Sequence, residues 1–385
     1  MEALNYTDNF TVTGSPEYKE DEDQAEVIDD VTKIIIVGAY VVILLFSFIG
    51  NSLVIHLVRT RVHVRKNPFN WLLVNTAVAD LVDVITASAF SLPFYLCGYC
   101  WISGVVGTII CKIIPYFLVV SICASIWTLT VIAADRYLAI VCIRRKPLSC
   151  RSVVRSIIAV WLCSGMVFSG QLYKFKTEET EEGKAECYHE WYEESEELSK
   201  LFYKVEMIAR VVITYAVPLV IMAVLYSLVA FFLRRHKPPG HVIQRAHAQQ
   251  AKKRRAVIKM MMTAVTVFAL CWLPVHVSHI MGEFYPESYD SIPEFLRWLF
   301  FWLAHANAAI HPWLFIVFSE NLRVGTKEIF QNIWNRRRGR FQQPKFSTLS
   351  QQSLRFTTLE LTASRYLAPS QSSLDTGILS LDTKF

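Results

Sequence analysis

Ionisable residues inside apolar sequence mark where this chain can do chemistry, because a charge in such surroundings is costly unless it has a partner or a job. Asp80 and Asp83 are the only acids in the apolar run 68–96. Three residues apart, they lie on nearly the same face of a helix. Asn51, Ser125, Asn307 and His311 place neutral polar groups in other apolar runs, and Asp135-Arg136-Tyr137 closes one of them. Glu206 and Arg210 stand at i, i+4, a spacing suited to a mutual ion pair. His276, His279 and His305 can donate or accept hydrogen bonds, for example to a peptide terminus. Together these residues support hydrogen bonding, ion pairing and the binding of a cation. Catalysis would need a nucleophile beside a base, or a spaced set of metal ligands, and neither occurs. The chain is therefore expected not to be an enzyme, and metal ligation by the histidines is not expected.

The elements that hold these residues are apolar helices. Residues 34–58, 113–134, 211–233, 260–282 and 298–319 contain no Asp, Glu, Lys or Arg. Residues 156–173 make a shorter sixth run and 68–96 a seventh. At 1.5 Å per residue, about 20 such residues cross the hydrocarbon core of a bilayer. Apolar residues make up 53% of the chain and charged ones 19%, wrong for a soluble protein of 385 residues. The expected fold is all-α: a seven-span membrane bundle over 33–319, with an outer tail over 1–32 and an inner tail over 336–385. No repeated or inverted halves suggest a transporter. The first span is expected to act as a signal anchor.

Basic residues set the orientation. They collect at 59–66, 144–155, 234–255 and 336–340, which puts those segments in the cytoplasm and the N-terminus outside, in a multi-pass protein of the plasma membrane. Asn5-Tyr6-Thr7 and Asn9-Phe10-Thr11 are glycosylation sequons on the expected outer tail. Cys97, Cys100, Cys111 and Cys187 fall on the same side, where disulfides can form.

The polar and proline landmarks occur in a set order along the spans. They are Gly50-Asn51, Asn75 to Asp80, Asp135-Arg136-Tyr137, Trp161, Pro218 with Tyr226, Cys271-Trp272-Leu273-Pro274, and Asn307 with His311-Pro312-Trp313-Leu314-Phe315. This set resembles the rhodopsin-like (class A) G-protein-coupled receptors, over about residues 34–335, and more particularly their neuropeptide-receptor type. The resemblance implies a disulfide between Cys111 and Cys187. Cys97 and Cys100 are left to bridge each other or to remain thiols. It also implies a packing switch at Ile126, Pro218 and Phe268, and G-protein engagement through Arg136. Pro218, Pro274 and Pro312 each remove a backbone hydrogen bond and can hinge a helix beside Trp272.

A further implication is an internal sodium ion at Asp80, Ser125 and Asn307, with a plain hydrogen-bond network as the alternative and no other cofactor. The chain departs from the family pattern there. His311 stands for the usual Asn, and Phe315 lacks the hydroxyl that would meet Tyr226. The position for an acidic partner of Arg136 on span 6 is Arg254.

Ligand class follows from the outer face. His305 replaces the retinal-bearing lysine of opsins, and Leu118 replaces the aspartate that holds amines. Residues 1–32 carry ten acids, the loop 173–202 ten more, and Glu283, Glu287, Asp290 and Glu294 follow span 6. Such a field concentrates cationic ligands, so the expected ligand is a cationic extracellular peptide, with a small molecule or lipid as the alternative. The loop 173–202 reads as a hairpin lid. Tyr188, Trp191, Tyr192, Trp298 and Trp302 offer contact area, and Asp83 reads as a counter-ion for the ligand or a second member of the polar network. Inside, the segment 234–259 has nine basic residues and no acid, suited to anionic lipids and a G protein. Residues 320–335 resemble the family's amphipathic eighth helix. Ser347, Thr348, Ser350, Ser353, Thr357, Thr358, Ser370, Ser372 and Ser373 are candidate phosphosites for arrestin. No feature suggests nucleic-acid binding.

Overall fold

In a bilayer the backbone must bond to itself, so each apolar run is helical. The computed structural model describes residues 30–97, 100–142, 148–179, 185–191, 195–235 and 244–337, with the side chains of 94, 95, 97 and 244–254 outside that description. The sequons, most of the acidic tail, Arg254, Glu181, Glu182, Glu193, Glu194 and the candidate phosphosites fall outside it. Seven helices long and apolar enough to cross a membrane form the bundle. They are α1 (Asp30–Thr60), α2 (Pro68–Cys97), α3 (Gly104–Ile140), α4 (Cys150–Val167), α5 (Glu196–Arg235), α6 (Gln244–Phe284) and α7 (Glu294–Phe318). A further helix, α8, spans Glu320–Arg337. The chain divides after Lys327, and the bundle and its sites precede that point.

The bundle is apolar outside and polar within. Leu45, Phe46, Ile49, Leu162, Val220 and Leu270 are exposed, whereas Asn51, Asn75, Asp80, Asp83, Asn307 and His311 are buried. Every residue of α3 from Leu118 to Ile126 is buried, more than two turns at 3.6 residues per turn, so α3 runs through the centre. Polar side chains tie its neighbours to it. Asn75 donates to Thr128 Oγ1 at 2.8 Å and accepts from the Trp161 indole at 2.9 Å, joining α2, α3 and α4. Asn51 donates to the Ala308 carbonyl at 3.3 Å. Beside it, a Cβ on Gly50 would lie 2.7 Å from Pro312 Cγ, so only glycine lets α1 approach α7 this closely.

At one end a three-stranded antiparallel sheet caps the bundle. Its strands β1 (Cys100–Trp101), β2 (Phe175–Glu179) and β3 (Ala185–His189) lie in the order β1-β3-β2. The Cys111–Cys187 disulfide, with Cα atoms 5.8 Å apart, fastens β3 to α3. The hairpin lid is thus present. Cys100 is also disulfide-bonded, and the Cys97 side chain lies outside the description. Cys123, Cys142, Cys150, Cys163 and Cys271 are free thiols.

Two boundaries differ from the apolar runs. The run 156–173 ends as a helix at Val167, with Phe168 as its C-cap, and two residues on, the Trp191 ring would lie 2.6 Å from a Cβ added to Gly170. Helix α5 begins at Glu196, well before 211, capped by Ser195 Oγ accepting from the Leu198 N–H at 3.4 Å. Apolar composition marks where lipid is, and this helix continues beyond it.

Helix α5 also changes pitch. Val212–Ala216 form a π turn, in which the Val217 N–H bonds to the Val212 carbonyl. In that pattern the Ile213 carbonyl should accept from residue 218, a proline with no N–H. The Trp127 indole of α3 donates to it instead, at 3.1 Å. Trp127→Phe keeps the ring and leaves a buried carbonyl unbonded, an expected loss of about 1–3 kcal/mol. A lower midpoint of thermal unfolding than wild type would register it; an unchanged midpoint would contradict it.

Candidate functional site

Four polar layers descend through the bundle. At the sheet end, four donors converge on Glu206. Its Oε1 accepts from Gln171 Nε2 at 2.6 Å, from Lys174 Nζ at 2.9 Å and from Arg210. Its Oε2 accepts from Lys174 Nζ at 2.8 Å and from the Trp191 indole at 3.1 Å. The expected Glu206–Arg210 pair is there, but Lys174 joins it from the turn before β2. Lys174 is 4% exposed, and burial pushes its ammonium down to about 8, against the pull of Glu206. Glu283 is half-buried at the end of α6, where Lys204 lies 5.8 Å from the neighbouring Phe284 ring.

One layer deeper, Asp83 Oδ1 meets His305 Nδ1 at 2.9 Å, both buried. The His305 ring lies 5.6 Å from Trp272 and 4.6 Å from Phe301. His276 sits between Tyr215 at 4.8 Å and Trp272 at 5.6 Å, with neither ring nitrogen bonded. His279 Nδ1, the Trp272 indole and Arg210 Nε are likewise buried without a partner among the described residues. Unbonded donors thus gather around Trp272, while the two nearby carboxylates are already engaged. Leu118 is buried on α3. Trp298, read from sequence as a ligand contact, instead packs with Ile36, Tyr40, Ile43 and Val84 in the core between α1, α2 and α7.

The third layer is Asp80. Ser125 Oγ donates to Oδ1 at 2.8 Å, and His311 Nδ1 meets Oδ2 at 3.0 Å. The His311 ring stacks on Phe315, 6.0 Å away and 14° from parallel. Asn307 of α7 is buried, and its carbonyl oxygen has no partner among the described residues.

The last layer lies at the far end. Asp135 accepts from the Arg136 guanidinium and, through Oδ1, from the Leu148 N–H at 3.0 Å. Arg136 also covers the Phe69 ring at 4.4 Å. Between the layers Ile126, Pro218, Tyr226 and Phe268 are all buried, and Phe268 stacks on Trp272 at 5.9 Å. Tyr137 is half-buried, Pro274 lies within α6 and Pro312 is buried within α7.

Sequence reasoning missed Gln171, Lys174 and Trp127. Lys174 directly follows an apolar run, where a lysine ordinarily reaches back toward water. Its burial depends on Glu206, 32 residues away. The indole of Trp127 gave no local signal, because its partner carbonyl is freed only by the π turn.

Residues 50–315 of the chain match the family described as 7 transmembrane receptor (rhodopsin family). The chain belongs to that family and is a multi-pass membrane receptor of class A. It is similar to the substance-K receptor of Bos taurus, 30% identical over 297 residues covering 76% of this chain and 74% of the relative. The human substance-K receptor is 30% identical over 296 residues, covering 76% and 72%. The human substance-P receptor is 29% identical over 297 residues, covering 76% and 70%.

Proposed function

We propose that this chain is a plasma-membrane receptor, N-terminus outside, that binds an extracellular cationic neuropeptide and activates a heterotrimeric G protein through Arg136. The observation that carries the ligand class is the division of its acids. Within the bundle Asp83 and Glu206 are already paired with cationic or hydrogen-bonding side chains. At the sheet end Glu178, Glu179, Glu197, Glu287 and Asp290 are exposed. The positive charge of the peptide is therefore read at the rim. The unbonded donors around Trp272 suit the carbonyl-rich or amidated end of the same peptide. Relatives named for substance K and substance P agree with a peptide ligand.

The inner face supports two partners. A groove of about 820 Å³ between α5 and α6 is lined by Ile258 and Met262 together with Arg234, Arg255 and Lys259. Its charge suits anionic lipid headgroups beside the G-protein surface. Arrestin would read the phosphorylated tail.

A screen of cationic and amidated peptides with calcium and cAMP readouts tests the reading. With a hit in hand, changing Glu178, Glu179 and Glu287 to Gln and Asp290 to Asn should slow association several-fold and flatten its salt dependence, since exposed charges are screened within roughly 8 Å at physiological salt. Potent activation by an uncharged lipid, with these variants responding as wild type, would refute it.

A further inference from the structure

The family resemblance implies a sodium ion held by Asp80, Ser125 and Asn307. A hard cation takes oxygen lone pairs, about six in a full shell. Asp80 is 2% exposed and offers two oxygens, and each already faces a donor. Ser125 Oγ, from α3, lies 2.8 Å from Oδ1, and His311 Nδ1, from α7, lies 3.0 Å from Oδ2. Two lone pairs facing each other at that distance would repel, so against an ionised Asp80 the ring nitrogen toward Oδ2 carries a proton, in the neutral imidazole as in the charged one. An N–H thus fills the direction from which an ion would approach. The ring is held there, since His311 is 0% exposed and stacked on Phe315. Both departures from the family pattern, His311 and Phe315, meet in this one contact. Asn307 Oδ1, like Asn51 Oδ1 on α1, is buried without a partner among the described residues, and two amide carbonyls do not make a shell of about six. The donors present do not fit a resident sodium ion.

We propose that the His311 imidazole takes the cation's place, so that Asp80 is satisfied by a side chain of α7 and the receptor is insensitive to sodium. The second contact on the same helices, Asp83 with His305, lies one turn along α2. Two carboxylate–imidazole contacts therefore clasp α2 to α7, where an exchangeable ion would have linked them loosely.

The test needs salt alone and is independent of the ligand. The purified full-length chain is melted in sodium chloride and in equimolar choline chloride. The two curves should coincide for wild type. His311→Asn restores an oxygen ligand and should gain an upward, saturable shift specific to sodium, which Asp80→Asn in the same background removes. A sodium-specific stabilisation of the wild type that Asp80→Asn abolishes overturns the proposal. A folded His311→Asn that gains nothing also overturns it, because the ring would then not be what excludes the ion. If His311→Asn does not fold, His311→Ser, which also bears oxygen, is read in its place.

Discussion

Arg136→Ala is expected to cut nucleotide exchange on Gα by about a hundredfold, equivalent to roughly 2.7 kcal/mol, while ligand affinity changes only a few-fold. Arg136 lies at the opposite end of the bundle from the sheet, held by Asp135 on its own helix and by the Phe69 ring at 4.4 Å. Asp135 in turn accepts from the Leu148 N–H at the start of the segment leading into α4. The sequence puts Arg254 where the family has an acid on α6, so the restraint on Arg136 comes from α2 and α3. Its release therefore requires a change at Asp135 or Phe69. Exchange on a purified G protein with membranes carrying the variant is the measurement; undiminished exchange would show that this residue does not engage the G protein.

Glu206→Gln should be the most destabilising single substitution at the sheet end of the bundle. The carboxylate serves Lys174, Arg210, Gln171 and Trp191 together, and removing its charge leaves Lys174 buried without a counter-ion. Breaking a buried pair from one side costs about 3–5 kcal/mol. Lys174→Met should cost less, since Arg210 still balances Glu206. Thermal unfolding of the two variants side by side checks the order. A Glu206→Gln receptor that melts with wild type, or above Lys174→Met, would contradict it.

The architecture was legible because a bilayer imposes one rule on every span. Six runs free of charge and a seventh broken only by Asp80 and Asp83, with basic segments between them, suffice to count helices without any packing information. The Glu206–Arg210 pair was legible for a similar reason, since helix geometry alone brings i and i+4 together. What escaped depends on contacts distant in sequence. His305 meets Asp83 across 222 residues and His311 meets Asp80 across 231, and no local pattern announces either. Asp83 was open to two readings, counter-ion or network member, and its burial against His305 fits the second. Trp298 looked available for a ligand because tryptophans near a span end often are, yet its ring fills the space beside Tyr40. The lid hairpin was expected, but the turn that carries Lys174 inward was not. It is held by contacts distant in sequence, Lys174 with Glu206 and Gly170 with the Trp191 ring.

The π turn of α5 sets the phase between two halves of one helix. Each residue of an ordinary helix advances about 100° around the axis. The wider turn at Val212–Ala216 absorbs the rotation that its extra residue would otherwise add. Regular pitch over the same residues, with none deleted, would swing Glu196–Val211 by about that angle relative to Val217–Arg235. Glu206 would then turn away from Lys174, with every side chain of Val217–Arg235 unchanged. Chimaeras that join the sheet end of this receptor to the opposite end of a relative must therefore carry the π turn together with its extra residue, since keeping one without the other turns Glu196–Val211 away from its partners.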